Sequence, residues 1–444
     1  METIETIPAK QLSDKGKLFV KSVIIFVMAF VLWLPTYLIL DMVKERAGRQ
    51  KEAIADISNK WAGKQTVTGP ILVIPYHDTA LDGKEAPTKR FAYFMPDKLD
   101  IQSTVIPEKR HRGIYEVAVY RSEINLSGKF NPLQWQQLGI PANDILWNEA
   151  SILFRVQDNA KGINEDIRLN WNGMNIIFNP QLAGQSAFPD AFSAPVSFTA
   201  DEAAQDHLFN LKFSMNGSEQ LVFAALAREN KIQMRSTWPD PGFTGVKLPD
   251  TREVKDSGFV ASWKYLNRTI PAVWKNTKND LSGTLIGADL LITVDSYDKT
   301  ERSVKYALLC IILTFAAFFL VETIYKKPLH LVQYGIAGLA LVLFYTLLLS
   351  ISEYTGFNPA YVLAGISTIG LVGWYIGSVM RSSKLALFIS LVLGVVYAYI
   401  FTIIQLQDYS LLMGSIGLFI ALGIIMFFSR KLQWQNDWPV GQTG

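Results

Sequence analysis

Cysteine, histidine and charge are all scarce in this chain of 444 residues. A single cysteine excludes a fold held together by disulfides. Only 18% of the residues are charged and the net charge is +3, which excludes both a disordered chain and a strongly basic nucleic-acid-binding protein. The four histidines have no metal-ligand spacing, and there is no phosphate-binding P-loop and no G-x-S-x-G nucleophile motif. These absences predict a non-enzymatic protein with no metal, no cofactor and no nucleic-acid partner.

Apolar residues make up 50% of the chain, and their excess lies in residues 18–40 and 305–429. The first run is uncharged from Ser22 to Leu40. As a helix these residues extend about 28 Å, close to the thickness of one hydrocarbon core. The run is too long for a secretory signal peptide, and no small-residue cleavage site follows it. We therefore favour an uncleaved signal anchor over a cleaved signal.

The second apolar block predicts five further spans and a cytoplasmic tail at 430–444. The spans are expected at about 306–325, 330–350, 359–380, 385–404 and 409–429. Basic residues are biased toward cytoplasmic loops, and here they recur at every second connection. The basic residues concerned are Lys10, Lys15, Lys17, Lys21, Lys326, Lys327, Arg381, Lys384, Arg430 and Lys431. This alternation predicts six spans, with the N-terminal tail (1–17) and the C-terminal tail both in the cytoplasm.

Residues 41–304 between the two blocks read as one large extracytoplasmic region, with a helix over 42–62 that continues the anchor. Period-two alternation predicts strands. The segments are Ile114–Tyr120, Ile152–Val156, Ile167–Trp171, His207–Met215, Lys231–Arg235 and Leu290–Val294, and a short helix is expected near Pro132–Leu138. The predicted fold class is an α+β membrane protein: one N-terminal transmembrane helix, a mainly antiparallel β sandwich or pair of stacked sheets, and a C-terminal bundle of five transmembrane helices. The pattern leaves open whether the β region is one sub-domain or two.

Ionisable residues near membrane depth are the usual indicators of a functional site. Glu322 either pairs with Lys326 and Lys327 at the interface or forms a pair with His330 that senses pH or gates a path. Glu353 lies in a predicted outer turn, where it is either solvated or couples the large domain to the bundle.

Other polar and small residues carry weaker signals. Gly373 and Gly377 form a GxxxG pattern, which indicates packing within the bundle or, alternatively, a homodimer face. Ser296 and Lys299 match S-x-x-K, but the segment is interpreted as a solvated loop rather than a catalytic site. The middle of the five spans holds few polar residues, which argues against ion-coupled transport. They are Thr314, Thr346, Ser367, Thr368 and Ser390.

Several local strings, in this order and layout, resemble the CreD family of bacterial inner-membrane proteins. They include Thr68-Gly69-Pro70, Thr237-Trp238-Pro239, Glu322-Thr323, Leu329-His330, Gln333-Tyr334 and Ser352-Glu353-Tyr354-Thr355-Gly356. The resemblance implies a place in the cell inner membrane, a periplasmic β domain and a link to envelope stress and the β-lactam response. It transfers no catalytic residue. The candidate functional residues are Glu322, His330, Gln333, Tyr334, Ser352, Glu353, Thr355 and Gly356.

Two functions remain open from the sequence. In the first, the β domain binds a periplasmic protein, a lipid or a cell-wall component, and the bundle anchors the chain or relays the event. In the second, the bundle transports or handles a lipid. The expected partners are the bilayer, one of those periplasmic ligands and, as an open alternative, a second copy of the chain.

Overall fold

The structure is a computed structural model that describes residues 14–78, 88–180, 188, 190–275, 280–290, 295–325, 328–406 and 409–429. The chain forms two compact units. Gln50–Thr293 form the first, which we call the β unit, and Met1–Arg49 with Val294–Gly444 form the second, which we call the helical unit. The predicted α+β architecture is confirmed by an N-terminal apolar helix, a large mainly antiparallel β region and a C-terminal helical bundle.

The helices follow the predicted apolar runs closely. They are α1 (Asp14–Trp61), α2 (Asn159–Gly162), α3 (Asp295–Lys305), α4 (Ala307–Tyr325), α5 (Leu331–Thr355), α6 (Phe357–Met380), α7 (Ser383–Gln405) and α8 (Ser410–Ser429). Within the described residues, α1 from Val20 onward and α4–α7 are long and apolar enough to cross a membrane. Helix α8 occupies the position of the sixth predicted span, and its membrane crossing remains a prediction.

Two predicted connections in the helical unit are wrong. The expected loop at 352–358 is a single residue, Gly356, between α5 and α6. The polar residues before it stay helical because the Ser352 hydroxyl donates to the carbonyl of Leu349 (2.9 Å) and the Thr355 hydroxyl to that of Ile351 (3.1 Å). Gly356 adopts φ +78°, a left-handed conformation that glycine tolerates without strain.

The second wrong connection is the segment containing Ser296 and Lys299, which is helix α3 rather than a loop. The polar side chains of this helix bond within it: Thr300 Oγ1 donates to the Ser296 carbonyl (2.6 Å), and Lys305 pairs with Glu301 (2.8 Å). Five other predicted features lie outside the described residues. They are residues 1–13 of the N-terminal tail, residues 291–294 of the last predicted strand, the Lys326–Lys327 loop, Asp408 and the tail at 430–444.

The β unit consists of two sheets. Its strands are β1 (Gln65–Asp78), β2 (Thr88–Phe94), β3 (Lys98–Arg112), β4 (Tyr115–Phe130), β5 (Ser151–Val156), β6 (Arg168–Trp171), β7 (Met174–Ile177), β8 (Asn179–Pro180), β9 (Phe192–Pro195), β10 (His207–Ser218), β11 (Gln220–Ala224), β12 (Glu229–Ser236), β13 (Pro241–Gly245), β14 (Thr251–Lys255), β15 (Gly258–Leu266), β16 (Val273–Lys275) and β17 (Leu285–Leu290). The first sheet runs β13-β17-β11-β1-β5-β9-β8, with β2 paired to β1 and β16 to β2, and the second runs β14-β15-β12-β3-β4-β10-β6-β7. Among the strand pairs of the described residues, β1–β11 and β3–β12 are parallel and the others are antiparallel.

One apolar core lies between the two sheets. Phe154 of the first sheet meets Phe213 of the second with ring centroids 5.0 Å apart. A smaller cluster, which includes Leu153 and Trp274, covers the opposite face of the first sheet. Near the predicted helix at Pro132–Leu138 the chain forms a short 3-10 helix, Trp135–Leu138. Residues 50–61 of α1 belong to the β unit, where Ser58 donates to Glu219 (3.0 Å).

His207 is a buried histidine of the sandwich core. Its ring stacks on Trp171, with centroids 5.1 Å apart, and Asn172 Nδ2 lies 3.0 Å from its Nδ1. Because Asn172 Oδ1 accepts from Leu208 N, the amide nitrogen must face the imidazole and donate to it. Nε2 is then the protonated nitrogen and donates to the Glu202 carbonyl (3.1 Å). Burial lowers the pKa of His207 from its ordinary value, although the Glu202 carbonyl opposes the shift.

We predict that the β unit loses stability as the pH falls through the ordinary histidine range near 6.5. The unfolded chain binds the proton more readily than folded His207 does, so acid favours unfolding. Thermal unfolding of the full chain at pH 7.5 and 5.5 measures this, and His207→Gln is expected to reduce the loss between the two pH values. His111→Gln, which removes an exposed histidine of the same unit, is the matched control. An unchanged pH dependence in His207→Gln would contradict the prediction.

Candidate functional site

In the described part of the helical unit, two carboxylates are largely shielded from solvent, and each is paired with a cation from α1. Glu322 and Glu353 are the acidic residues of α4–α8. Glu322 lies on α4 and Glu353 in the last turn of α5, and their side chains are only 9% and 10% exposed. A carboxylate at such a position is costly unless a counter-charge and hydrogen-bond donors satisfy it. We describe the two environments as the Glu322 cluster and the Glu353 cluster.

The Glu322 cluster joins α1, α4 and α5. Lys21 Nζ donates to Glu322 Oε1 and also to the carbonyl oxygen of Leu329 (2.6 Å). The Tyr334 hydroxyl donates to the other carboxylate oxygen, Oε2 (2.9 Å). Phe315 packs edge-on against the Tyr334 ring, with centroids 5.5 Å apart. Both oxygens of Glu322 therefore have a donor in a site that excludes most solvent.

The Glu353 cluster joins α1, α3 and α5. The Tyr297 hydroxyl donates to Glu353 Oε1 (3.1 Å), and Arg46 Nε lies 3.7 Å from the same oxygen. Arg46 is 44% exposed, so this pair is more open to solvent than the Lys21–Glu322 pair. Glu353 is not in a solvated loop, since it lies on a helix and has partners on two others.

His330 and Gln333 begin α5 and do not join the Glu322 cluster. His330 Nδ1 accepts from Val332 N (3.4 Å), and Gln333 Oε1 accepts from His330 N (2.9 Å). This reciprocal arrangement is a capping box, which satisfies backbone donors at the start of a helix. The partners of Glu322 in the structure are thus Lys21 and Tyr334 rather than His330.

Gly373 and Gly377 lie where α6 approaches α7. A Cβ atom at residue 373 would stand 2.2 Å from Ser390 Oγ, and one at residue 377 would stand 3.0 Å from Ala386 Cβ. Close approach of two helices requires small residues at such points.

The interior of the bundle holds more polar atoms than the sequence indicated. Tyr345, Tyr361 and Tyr397 are buried around Cys310, and the Tyr361 hydroxyl donates to the Tyr397 carbonyl (3.0 Å). The hydroxyls of Tyr345 and Tyr397 lie beside the Cys310 thiol and have no oxygen or nitrogen partner among the described residues. Sequence reasoning missed these tyrosines, since the polar residues that it singled out in the middle of the spans are threonines and serines.

Sequence reasoning also missed Lys21, Arg46 and Tyr297. Lys21 was used only to orient the chain, and Tyr297 lay in a segment interpreted as a loop. The alternation of basic loops places Lys21 and Glu322 on the same side of the membrane, and Arg46 and Glu353 on the other. The alternation therefore narrows the possible partners of each carboxylate to one side of the membrane, but it does not identify the cation that pairs with it.

The fold and these clusters define a multi-pass membrane protein whose first helix is ion-paired to a C-terminal bundle. Comparison with known proteins identifies the family: the family model described as inner membrane protein CreD matches residues 17–435. The chain belongs to the CreD family. It is also similar to the inner membrane protein CreD of Escherichia coli (strain K12), with 29% identity over 429 residues that cover 95% of this chain and 94% of that protein. The resemblance drawn from local strings is thereby confirmed.

We predict that Lys21 and Glu322 are energetically coupled. Glu322→Gln leaves the partly exposed Lys21 ammonium without its counter-charge and is expected to lower the free energy of unfolding by about 1–3 kcal/mol. In Lys21→Met/Glu322→Gln no unpaired charge remains, so a double-mutant cycle should give a coupling energy of about 1 kcal/mol or more. Denaturant unfolding of the full chain in detergent measures these values.

A matched control is available on the same helix. Glu45 and Arg49 form an exposed pair four residues apart on α1, with side chains about 60% exposed. Glu45→Gln is expected to change the unfolding free energy by only about 0.5 kcal/mol or less. A coupling energy near zero for Lys21 and Glu322 would show that their pairing contributes nothing to stability.

Proposed function

We propose that this protein is a non-enzymatic component of the bacterial inner membrane that supports cell-envelope integrity and the response to envelope and β-lactam stress. The β unit lies in the periplasm and binds a protein, a lipid or a wall component there. Both termini lie in the cytoplasm. Family membership supports the place in the inner membrane, and the distribution of Lys and Arg supports the orientation.

The observation that carries the proposal is that α1 contributes residues to both units. Lys21 and Arg46, which hold the two buried carboxylates, are 25 positions apart and thus about 37 Å apart along the helix. The same helix continues into the β unit, where residues 50–61 pack and bond. We propose that binding to the β unit is relayed through α1 to the two ion pairs of the helical unit. This arrangement suits an anchor that relays binding.

The alternative is a transporter or lipid-handling protein that uses the bundle. It is favoured by the shielded carboxylates of Glu322 and Glu353 and by the buried hydroxyls of Tyr345 and Tyr397 beside the Cys310 thiol, which would line a polar path. Against it, both oxygens of Glu322 already have donors in the resting arrangement. A group that carries protons or cargo must exchange those partners during each cycle.

Complementation of a deletion strain under β-lactam or detergent stress separates the two functions, provided that membrane abundance is matched. If Glu322 acts through its pair, Glu322→Gln should impair rescue, and the neutral double variant Lys21→Met/Glu322→Gln should recover most of it. If Glu322 carries a proton or cargo, the double variant should remain as defective as the single variant. Full rescue by Glu322→Gln would remove this cluster from either mechanism.

His330 supplies an independent comparison in the same assay. Asparagine is a good helix N-cap, so His330→Asn should rescue at least as well as His330→Ala if the residue only caps α5. A histidine that senses pH or gates a path cannot be replaced by asparagine. Loss of rescue in both variants at normal abundance would support the transport alternative.

A further inference from the structure

An arginine on the outer face of the first sheet of the β unit has no partner for its charge among the residues that the structure describes. Arg155 lies on β5 directly opposite Thr68 on β1. Their neighbours Val156 and Val67 belong to the core between the sheets. Because side chains alternate along a strand, Arg155 and Thr68 must project from the other face.

A cavity of about 380 Å³ lies over this position. Arg155 and the hydroxyl-bearing residues Thr66, Thr68 and Ser282 form its polar part. The apolar part is formed by Phe188, Leu281 and Leu285. Its volume falls in the range of small-molecule sites, which combine apolar walls with a few placed polar groups.

The charge of Arg155 is uncompensated within the described part of the chain. Its Nε is buried and has no hydrogen-bond acceptor, and no carboxylate there lies within ion-pairing distance. Asp280 also lines the cavity, and its oxygens accept from Ser282 N (2.9 Å) and Ser282 Oγ (2.8 Å) rather than from Arg155. These bonds lower the pKa of Asp280, so the lining also holds one negative charge, and an anionic head group must bind at the Arg155 side of the cavity. A guanidinium that is shielded from water without a counter-charge is costly, and an anionic ligand in the cavity would supply that charge.

The backbone beneath the cavity is fixed by a bulge. The register of β1 on β5 shifts between Thr68 and Ile71. Gly69 in the bulge has φ +116°, and a Cβ atom there would lie 2.8 Å from the Leu153 carbonyl. Thr68 and Arg155, which face each other on the neighbouring strands β1 and β5, are therefore held in place before any ligand binds.

We propose that this cavity binds an amphiphile with an anionic head group, carboxylate or phosphate, on an apolar body. The guanidinium of Arg155 receives the head group together with the threonine hydroxyls, and Phe188, Leu281 and Leu285 receive the apolar part. Arginine suits this role because its planar donors match carboxylate and phosphate oxygens. The inference deepens the proposed function, since it names the class of ligand that the β unit takes.

Calorimetry on the full chain in lipid nanodiscs tests this site, with empty nanodiscs subtracted. The probes are hexanoate, hexyl phosphate, inorganic phosphate and hexanol. Hexanoate or hexyl phosphate should bind saturably, and hexanol should not. Arg155→Gln should weaken binding about tenfold or more, because a hydrogen-bonded charge is lost. Arg252→Gln, which removes an exposed arginine of β14, should bind as the natural chain does.

The outcomes separate the sources of the anion. Preference for hexyl phosphate points to a phosphate head group and preference for hexanoate to a carboxylate, and both support the site. Binding of inorganic phosphate alone overturns the apolar half of the assignment. Equal binding in Arg155→Gln, or no binding of any anion, overturns the site. Thr66→Val, a change of similar volume, provides a second variant if Arg155→Gln fails to fold and should weaken binding about threefold.

Failure of this site and failure of the proposed function are distinguishable. Ligand binding is measured on purified protein, whereas rescue is measured in cells through Lys21 and Glu322. If hexanoate and hexyl phosphate do not bind, the complementation result still stands. If complementation fails, a measured binding constant still supports the site.

Discussion

The helical unit depends on how two carboxylates are satisfied in a medium of low dielectric constant. Outside water, a single negative charge must find a positive charge and hydrogen-bond donors within its own unit. Glu322 obtains both from Lys21 and Tyr334, and Glu353 obtains them from Arg46 and Tyr297. Since both cations come from α1, the first helix is bound to the bundle by charge as well as by packing. Apolar contacts alone give weak specificity between helices surrounded by lipid.

The β unit is organised by a different constraint. Its two sheets bury one apolar core. Two of its buried polar side chains differ in whether they have partners within the unit. In His207, both ring nitrogens have partners that select the neutral form. In Arg155, the charge has no counterpart among the described residues. We therefore interpret His207, whose hydrogen bonds are satisfied, as a core residue, and Arg155, whose charge is not, as a binding residue.

Local pattern was sufficient for most of the fold. The alternation from His207 to Met215 predicted β10 because one face of that strand is buried and the other is exposed. The apolar runs predicted α4–α7 because lipid and the bundle interior both favour apolar residues. The pattern failed at Ser352–Asn358 and at α3, where polar side chains bond to their own helix instead of to water. The sequences of these segments are as polar as those of loops, although their backbone is helical.

The candidate site was less predictable than the fold. Glu322 and Tyr334 were both singled out, but Lys21, which pairs with Glu322, is 301 positions from it. No local pattern carries information over that distance, and alternation of charge fixes only the side of the membrane. His330 was assigned a functional role because it is ionisable, although its ring nitrogen caps a helix. The cavity at Arg155 had no signal in the sequence, since it arises from the register between β1 and β5.

The separation between Lys21 and Glu322 also sets an order of events during synthesis. At about 5–20 residues per second, Glu322 leaves the ribosome roughly 15–60 s after Lys21. During that interval Lys21 on the first helix has no Glu322 to pair with, and the whole β unit is synthesised. Domains generally fold as units in the order of their synthesis, so the sandwich has time to form before the bundle exists. The ion pair is therefore a late step of assembly, made between a helix already in place and one that has only just entered the membrane.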